Sequence, residues 1–589
     1  MSAGDRRGAM MGTMCDTHPD IIKFVTAKHD ATKLRMFNVS VLISDAFMSA
    51  VEDDADWHLY FQEPSGKIKD QKSFIDEDVK KQYVYQILKA RDLWNIITES
   101  TYEHSDPGVI FIDRINDTNN LQYCEQIHCT NPCGEQPLPD NGSCLLGAIN
   151  LARLVRKPFT NEAEFDWGTL DAVIRIAVRF LDGVIDVTRY PMLAQKKEEL
   201  NKRRLGLGVA GLADAMAFLG HQYGSTDSVR FARAVMKEIA LTAYGTSCDL
   251  AEEKGSFPLF DQAQYFSGFA GTALPPQMID RIHNNGIRNG VLMTVAPTGT
   301  TSILFGNLAG GIEPTFRHKA QRKVLQADGK YKEFVSYGYS ARVWADVMGQ
   351  GVPYADHMVT TEDLTVGEHL AVQAACQEWV DASVSKTINC GEDISFDEFQ
   401  DVYRLAYSKG CKGCTTYRPT EELGSVLSDP DVDRKPKRPD VLPGRTYKLN
   451  WPSWASAIYI TINEKDDKIY ELFISSKDAR YQEWTIALST MISRLLRKDE
   501  SPKVIAGELE QIQSTHDSAW VGKKRYGSLL ARIGEVIIQH VASKDLPTEK
   551  LKQDGIPQKV EICPKCQSPT LIRREGCRTC NTCGYSSCE

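Results

Sequence analysis

At 589 residues, with 42% hydrophobic and 25% charged side chains, the chain is globular and long enough for roughly three or four domains around a sizeable core. Its net charge of −9 leaves no basic excess to displace counterions, which argues against a general binder of nucleic acid or anionic membranes. It has no apolar run of about 18 residues and no apolar signal region at its start, so a soluble, cytoplasmic protein is expected.

Residues 1–426 read as one α/β body. Strand-like runs, "GVIFIDRI" (108–115) and "GVLMTVAPTG" (290–299), alternate with helical stretches such as "LDAVIRIAVRFLDGVIDVTR" (170–189). "VRFARAVMKEIALTAYGTSCDLAEEKG" (229–255) has the i, i+3, i+4 apolar spacing of a helix with one buried face. Residues 427–445 then turn charged and proline-rich, without apolar period, and read as a linker. A small α+β domain is expected over 446–545. Its hairpin is "AIYITINEKDDKIYELFIS" (457–475), and its helices are "WTIALSTMISRLLRK" (484–498) and "SLLARIGEVIIQHVAS" (528–543).

Residues 546–589 form a cysteine-rich tail that holds six of the sixteen cysteines. In a large chain, clustered C-x2-C pairs favour metal binding or redox chemistry over structural disulfides. Cys563/Cys566 and Cys580/Cys583 have the two-knuckle pattern of a tetrahedral zinc site, leaving Cys577 and Cys588 over. In the alternative partition Cys577/Cys580 is the second knuckle, and Cys583 and Cys588 are free to exchange electrons through thiol–disulfide chemistry. The surplus cysteines are otherwise incidental.

The stretch "NPCGEQPLPDNGSCLLGAINL" (131–151) is a loop by its turn residues, yet it crowds Asn131, Cys133 and Glu135 together ahead of Cys144. A carboxylate two positions away disfavours a thiolate, and His128 has no evident orienting partner, so Cys133 is poorly placed as an ionic nucleophile. A neutral thiol suits hydrogen-atom transfer, with Glu135 as a base on a substrate hydroxyl and Asn131 hydrogen-bonding another. A buried structural cysteine is the plainer alternative. "APTGTTS" (296–302) places small and hydroxylated residues where a strand turns into a helix, which suits either an ordinary N-cap or an anion site.

"NPCGEQPL" followed by "CLLGAINL" resembles the active-site finger loop of ribonucleotide reductase large subunits, in the adenosylcobalamin-dependent (class II) version. "RRGAMMG" (6–12), "HPDIIKFVTAK" (18–28), "RRLGLGVAGLADAMAFLG" (203–220), "APTGTTSILFG" (296–306), "GIEPTF" (311–316), "SKTIN" (385–389) and "GCKGCTTYR" (410–418) resemble the same family in its order. The resemblance implies a partial ten-stranded α/β barrel, followed by the α+β accessory domain and a zinc-ribbon-like tail. By position, Cys133 is similar to the thiyl-radical cysteine, Glu135 to the base for the 3′-hydroxyl and Asn131 to its partner at the sugar. Cys144 is similar to one of two reducing cysteines. Pro297, Thr298, Gly299, Thr300 and Thr301, with Ser302 beside them, match the segment that holds substrate phosphates. The glycines of 206–220 follow no clear strand and belong to a packed helix. Cys411 and Cys414 read as structural, and Cys124 and Cys129 have no assigned role.

The family's pattern begins upstream of "RRGAMMG", with an effector site, the first barrel strands and the second reducing cysteine. Cys15 sits in the wrong segment to replace that cysteine, so an N-terminal reductase fragment is expected as a partner. No tyrosine pair follows residue 415 and no glycyl-radical segment is evident, which together with the resemblance points to adenosylcobalamin. The expected protein reduces a ribonucleoside di- or triphosphate, is recharged by a thioredoxin-like reductant through Cys577, Cys583 or Cys588, and forms a homo-oligomer. A non-catalytic scaffold of a split reductase, or a zinc-ribbon nucleic-acid module, are the competing readings. A scaffold has no need of Asn131, Cys133, Glu135 and Cys144.

Overall fold

Leu170, Ile174, Val178, Leu181 and Ile185 recur every three or four positions, and they form the buried face of the helix Trp167–Val187. Asp166 starts this helix by accepting a hydrogen bond from the Thr169 amide at 3.0 Å. The computed structural model in which this is seen describes residues 8–30, 33–34, 36–62, 73–75, 81–325, 331–419, 427–428, 439, 441–466, 468–477, 481–497, 500–515, 517–542, 563–565, 571–574, 577–580 and 585–588. It divides into two units, Met1–Arg434 and Lys435–Glu589.

The first unit is organised by a run of strands linked by pairing and by single bridges. Met10–Cys15, Phe37–Ile43 and Gly108–Phe111 lie side by side and parallel. Gly413–Tyr417 then joins antiparallel to Gly108–Phe111 and parallel to Thr387–Asn389. The chain just before Thr387 bridges in parallel to Val295, Met293 bridges in parallel to Leu207, and Leu205–Ala210 pairs in parallel with Leu145–Asn150. Three parallel strands thus run antiparallel to five. Among the described residues this run does not close into a barrel, and the full ten-stranded architecture of the resemblance is not seen.

Leu205–Ala210 corrects the reading of 206–220 as helix alone: a strand leads into the helix Leu212–Phe218. All six of its residues are buried, so the strand has no in–out alternation by which to recognise it. "GVIFIDRI" likewise divides into the strand Gly108–Phe111 and the helix Ile112–Asp117. Two cores flank the run. One packs Trp167–Val187 and the long helix Thr226–Lys254 around Leu205, Leu207 and Val209. The other gathers Val41, Ile43, Phe47, Trp94, Phe399 and Tyr403 with the buried Cys411 and Cys414.

Leu427–Ser428, the first residues of the expected linker, pair with Gln321 and Arg322, whose strand Lys319–Leu325 has a backbone edge to offer them. The second unit holds the antiparallel strands Gly444–Leu449, Ile458–Lys465 and Lys468–Ser476. Edge strands expose unpaired amides. Here the helix Gln482–Leu496 covers that edge, and Ser493 and Ser489 accept from the Leu472 and Ile474 amides at 3.0 and 2.9 Å. The helix Pro502–Gln511 and the hairpin Ala519–Val521/Lys524–Tyr526 were not anticipated. In the tail, Leu571–Arg574, Cys577–Cys580 and Ser586–Cys588 form an antiparallel sheet with Cys577 in register with Cys588. Cys566 and Cys583 lie outside the described residues, so the proposed zinc ligand set is not visible as a set.

Candidate active site

Cys129–Thr130 pairs with Pro137–Leu138, leaving residues 131–136 as the tip of a narrow finger. Asn131 closes that tip: its amide donates to the Gln136 carbonyl at 3.1 Å, and its Oδ1 accepts from the Gln136 amide at 3.0 Å. Gly134 turns the chain with φ +79°, a region that side chains other than glycine's rarely enter. The finger is pinned to both halves of the run. Asn38 holds the Pro132 carbonyl at 3.0 Å from one side, while Thr294 Oγ1 and the Ser383 amide hold the Glu135 carbonyl at 2.7 and 3.2 Å from the other.

This anchoring leaves Cys133 exposed and Glu135 buried. Burial raises the Glu135 carboxyl above its ordinary range, and a hydrogen bond from the Asn131 side chain opposes that shift. Its Oε2 has no hydrogen-bond partner among the described residues. Cys133 lines a cavity of about 380 Å³ together with Ser40, Pro297, Glu313, Lys386 and Cys414. A second cavity of about 530 Å³ shares Pro297, Glu313 and Thr387 with it and takes in Gly299, Ser302 and Asn389.

The wall between the cavities is fixed by charge. Lys386, with its side chain wholly buried, donates to Glu313 Oε2 at 2.5 Å, to His369 Nδ1 at 3.0 Å and to the Thr387 carbonyl at 2.7 Å. Burial first, and then the Lys386 charge, push the His369 imidazole down to about 3, so it stays neutral. At the turn, Thr298 adopts φ +53° ahead of the short helix Gly299–Leu304, whose first amides have no intrahelical acceptor. Pro297 and Gly299 face the cavities, whereas Thr300 and Thr301 are exposed and do not line them.

Cys144 lies behind the finger, only partly accessible. Burial pushes its thiol well above the ordinary range, and the charge of Glu199 adds to that shift. A Cβ on Gly206 would meet Cys144 Sγ and Gln136 Nε2 at 2.8 Å, which puts the second thiol against the root of the finger. The structure therefore brings Asn131, Cys133, Glu135, Cys144 and Pro297 into one region. Sequence reasoning did not find Glu199, Glu313 or Lys386. Glu313 and Lys386 lie within "GIEPTF" and "SKTIN", which were noted as motifs without a role for either residue, and Glu199 lies in no motif.

The family model for the ribonucleotide reductase barrel domain matches residues 1–417. The chain belongs to that family. A second model, the TSCPD domain, matches residues 430–541. The vitamin B12-dependent ribonucleoside-diphosphate reductase of Mycobacterium tuberculosis (strain CDC 1551 / Oshkosh) is 35% identical over 442 residues, covering 72% of this chain and 58% of the relative. The protein of the same name from Thermoplasma acidophilum is 32% identical over 457 residues, with 74% and 55% covered. The ribonucleoside-diphosphate reductase large chain of Cryptosporidium parvum is 28% identical over 349 residues, with 55% and 43% covered. The chain thus spans a little over half the length of the vitamin B12-dependent relatives it matches.

One buried carboxyl at the larger of the two cavities gives a pH test. Asp214 accepts from the Ala309 and Ser340 amides at 2.7 and 2.9 Å, and burial pushes its carboxyl up to about 6. A folded pKa above the unfolded value contributes stability that is complete below about pH 4 and is lost as pH rises toward 6. The stability of the native chain relative to Asp214→Asn is expected to fall by about 2–3 kcal/mol between pH 4 and 6.5, read from urea midpoints. A pH-independent difference would show that Asp214 is not the group titrating.

Among the described residues no cluster of His, Cys, Asp or Glu has a metal-holding arrangement, and no helix is long and apolar enough to cross a membrane.

Proposed function

We propose that this chain reduces ribonucleotides to 2′-deoxyribonucleotides, the precursors of DNA, with Cys133 as the hydrogen-atom carrier. The observation that carries this reading is the finger itself. It presents an exposed thiol at a cavity, joins it to a hydrogen-bonded Asn131–Glu135 pair with a buried carboxyl, and sets Cys144 at its root. The relatives are named for ribonucleoside diphosphates, which favours that phosphate level.

Adenosylcobalamin, in keeping with the vitamin B12 dependence of those relatives, would supply the radical, and the exposure of Cys133 suits a bulky external source. Cys133 then removes the 3′ hydrogen of the ribose while Glu135 accepts the 3′-hydroxyl proton and Asn131 hydrogen-bonds the sugar. The 2′-hydroxyl leaves as water. Two electrons and two protons come from Cys144 and a second cysteine, which join as a disulfide, and Cys133 returns its hydrogen to C3′. A carboxyl raised by burial is suited both to take up the hydroxyl proton and to give it back. The amides of Thr298, Gly299, Thr300 and Thr301 would bind the phosphates at the turn, with Pro297, which has no N–H to donate, setting the direction of the chain ahead of them.

The run of three and five strands supports a ten-stranded barrel whose two remaining strands fit between Leu145–Asn150 and Met10–Cys15. A further reductase segment, on the same or a separate polypeptide, would supply them with the second cysteine. Ile176, Phe180 and Val187, exposed on the helix that packs over Leu145–Asn150, suit a covering segment. In the tail we assign zinc to Cys563, Cys566, Cys580 and Cys583. The register of Cys577 with Cys588 supports these two as the pair that receives electrons from a thioredoxin-like reductant. The working form is a cytoplasmic homo-oligomer.

The test supplies labelled ribonucleoside diphosphate, adenosylcobalamin and a dithiol to the chain together with the first part of a matched relative. Deoxynucleotide is the expected product. Bound nucleotide with no product across dithiols and both phosphate levels would leave the scaffold reading standing.

A further inference from the structure

Three buried polar atoms in the neighbourhood of Cys144 lack partners among the described residues: Oε2 of Glu135, Nε2 of Gln136 and Oε1 of Glu199. Such orphans cost about 1–3 kcal/mol each, so they call for an account. Glu135 and Gln136 belong to the finger. Glu199 does not: it comes from the helix Leu193–Lys202 and is 2% exposed. Its Oε2 accepts from Ser143 Oγ at 2.9 Å, and Ser143 immediately precedes Cys144. Of the charges that bear on the Cys144 thiol, Glu199 is the largest, ahead of Arg204, Asp381 and Glu135.

We propose that Glu199 is the proton-exchanging partner of Cys144, fixed beside the thiol by Ser143 with one carboxyl oxygen left free for that proton. This rests on the reductive role of Cys144 given above. As the S–S bond forms between Cys144 and the second cysteine, the two sulfurs lose two protons and pass two electrons to the nucleotide, whose C2′–O bond breaks. Glu199 takes the proton from Cys144 and passes it on toward the leaving 2′-oxygen, so both thiol protons end on the nucleotide and its water. When an external dithiol attacks the second cysteine, a new S–S bond forms there and the bond to Cys144 breaks. Cys144 leaves with the electron pair, and Glu199, reprotonated by the proton the dithiol gives up, protonates it. Burial raises the Glu199 carboxyl to about 7 against the pull of Ser143 and Arg204, so both protonation states are populated near neutral pH. Glu135 is committed to the ribose, which leaves Glu199 as the carboxyl available to the reductive thiol.

The experiment follows alkylation of Cys144 by iodoacetamide in the full-length chain, without nucleotide or cobalamin, quantified on the Cys144 peptide by mass spectrometry across pH 5.5–10. The profile is expected to show an inflection near pH 7 besides the thiol's own at higher pH. Glu199→Gln removes the lower inflection and shifts the upper one downward, because an anion beside the thiol is gone. Ser143→Ala, which keeps the charge but loses the hydrogen bond, retains the lower inflection at a higher pH. A single inflection in the native chain, or a Glu199→Gln profile that overlays it, overturns the proposal, and urea midpoints at pH 7 show that both variants fold. In the reconstituted reaction Glu199→Gln is expected to lower dithiol-driven turnover by about 10²-fold, and wild-type turnover would also overturn the proposal. If the alkylation profiles behave as expected while no variant or native chain forms deoxynucleotide, the coupling stands and the reductase reading is what fails.

Discussion

Cys133→Ser is expected to abolish deoxynucleotide formation, lowering it by at least about 10³-fold, or ~4 kcal/mol in activation free energy. The chemical reason is the bond that must break and re-form. A serine O–H is far stronger than a thiol S–H, so a hydroxyl at this position neither becomes the hydrogen-atom acceptor nor returns a hydrogen to C3′ at a useful rate. The structural reason the test is clean is exposure: Cys133 stands outside both hydrophobic cores, at the tip of a finger held by Asn131, Thr294 and Ser383. Its replacement is expected to change stability by no more than about 0.5 kcal/mol, read from urea midpoints. Product formed at the native rate by the serine chain would remove Cys133 from the mechanism.

Gly208→Ala is expected to cost about 3 kcal/mol or more in stability and to lower the yield of folded protein. A Cβ at position 208 would sit 2.2 Å from the Thr294 carbonyl oxygen and 3.3 Å from Val295 Cα. Both are backbone atoms of the neighbouring stretch, so no side chain can swing aside. The two segments must part, breaking the hydrogen bonds from Leu207 N to Leu292 O at 2.9 Å and from Thr294 N to Leu207 O at 3.1 Å. Thr294 also holds the Glu135 carbonyl, so the shift carries into the finger. Gly206→Ala makes the control, because its Cβ would meet the ends of side chains at 2.7–2.8 Å: Leu146 Cδ2, Cys144 Sγ and Gln136 Nε2. It should lose less stability while displacing the Cys144 thiol. An alanine at 208 with an unchanged urea midpoint would show that the two segments part without loss of stability.

Much of the second unit and the long helices was legible because their burial is one-sided. The helix expected over 170–189 is Trp167–Val187, and the hairpin expected over 457–475 is Ile458–Lys465 with Lys468–Ser476. The strand Leu205–Ala210 was not legible, since burial on both faces erases the alternation that marks a strand.

The finger residues were readable for a different reason. Asn131, Cys133 and Glu135 sit in one short loop, so the group they form is written in nearly contiguous residues. That adjacency, the ordered motifs around it and the C-x2-C knuckles of the tail are what the sequence determined by itself. Tertiary structure alone decided which carboxyls face the thiols. Glu199 lies 55 positions from Cys144, on a helix that reads as an ordinary charged surface, and only the docking of that helix buries its carboxyl beside Ser143. Lys386 and Glu313, 73 positions apart, become the wall between two cavities in the same way. Local chemistry is carried by neighbours in sequence. Burial, and with it the protonation state of a carboxyl or an imidazole, depends on neighbours in space.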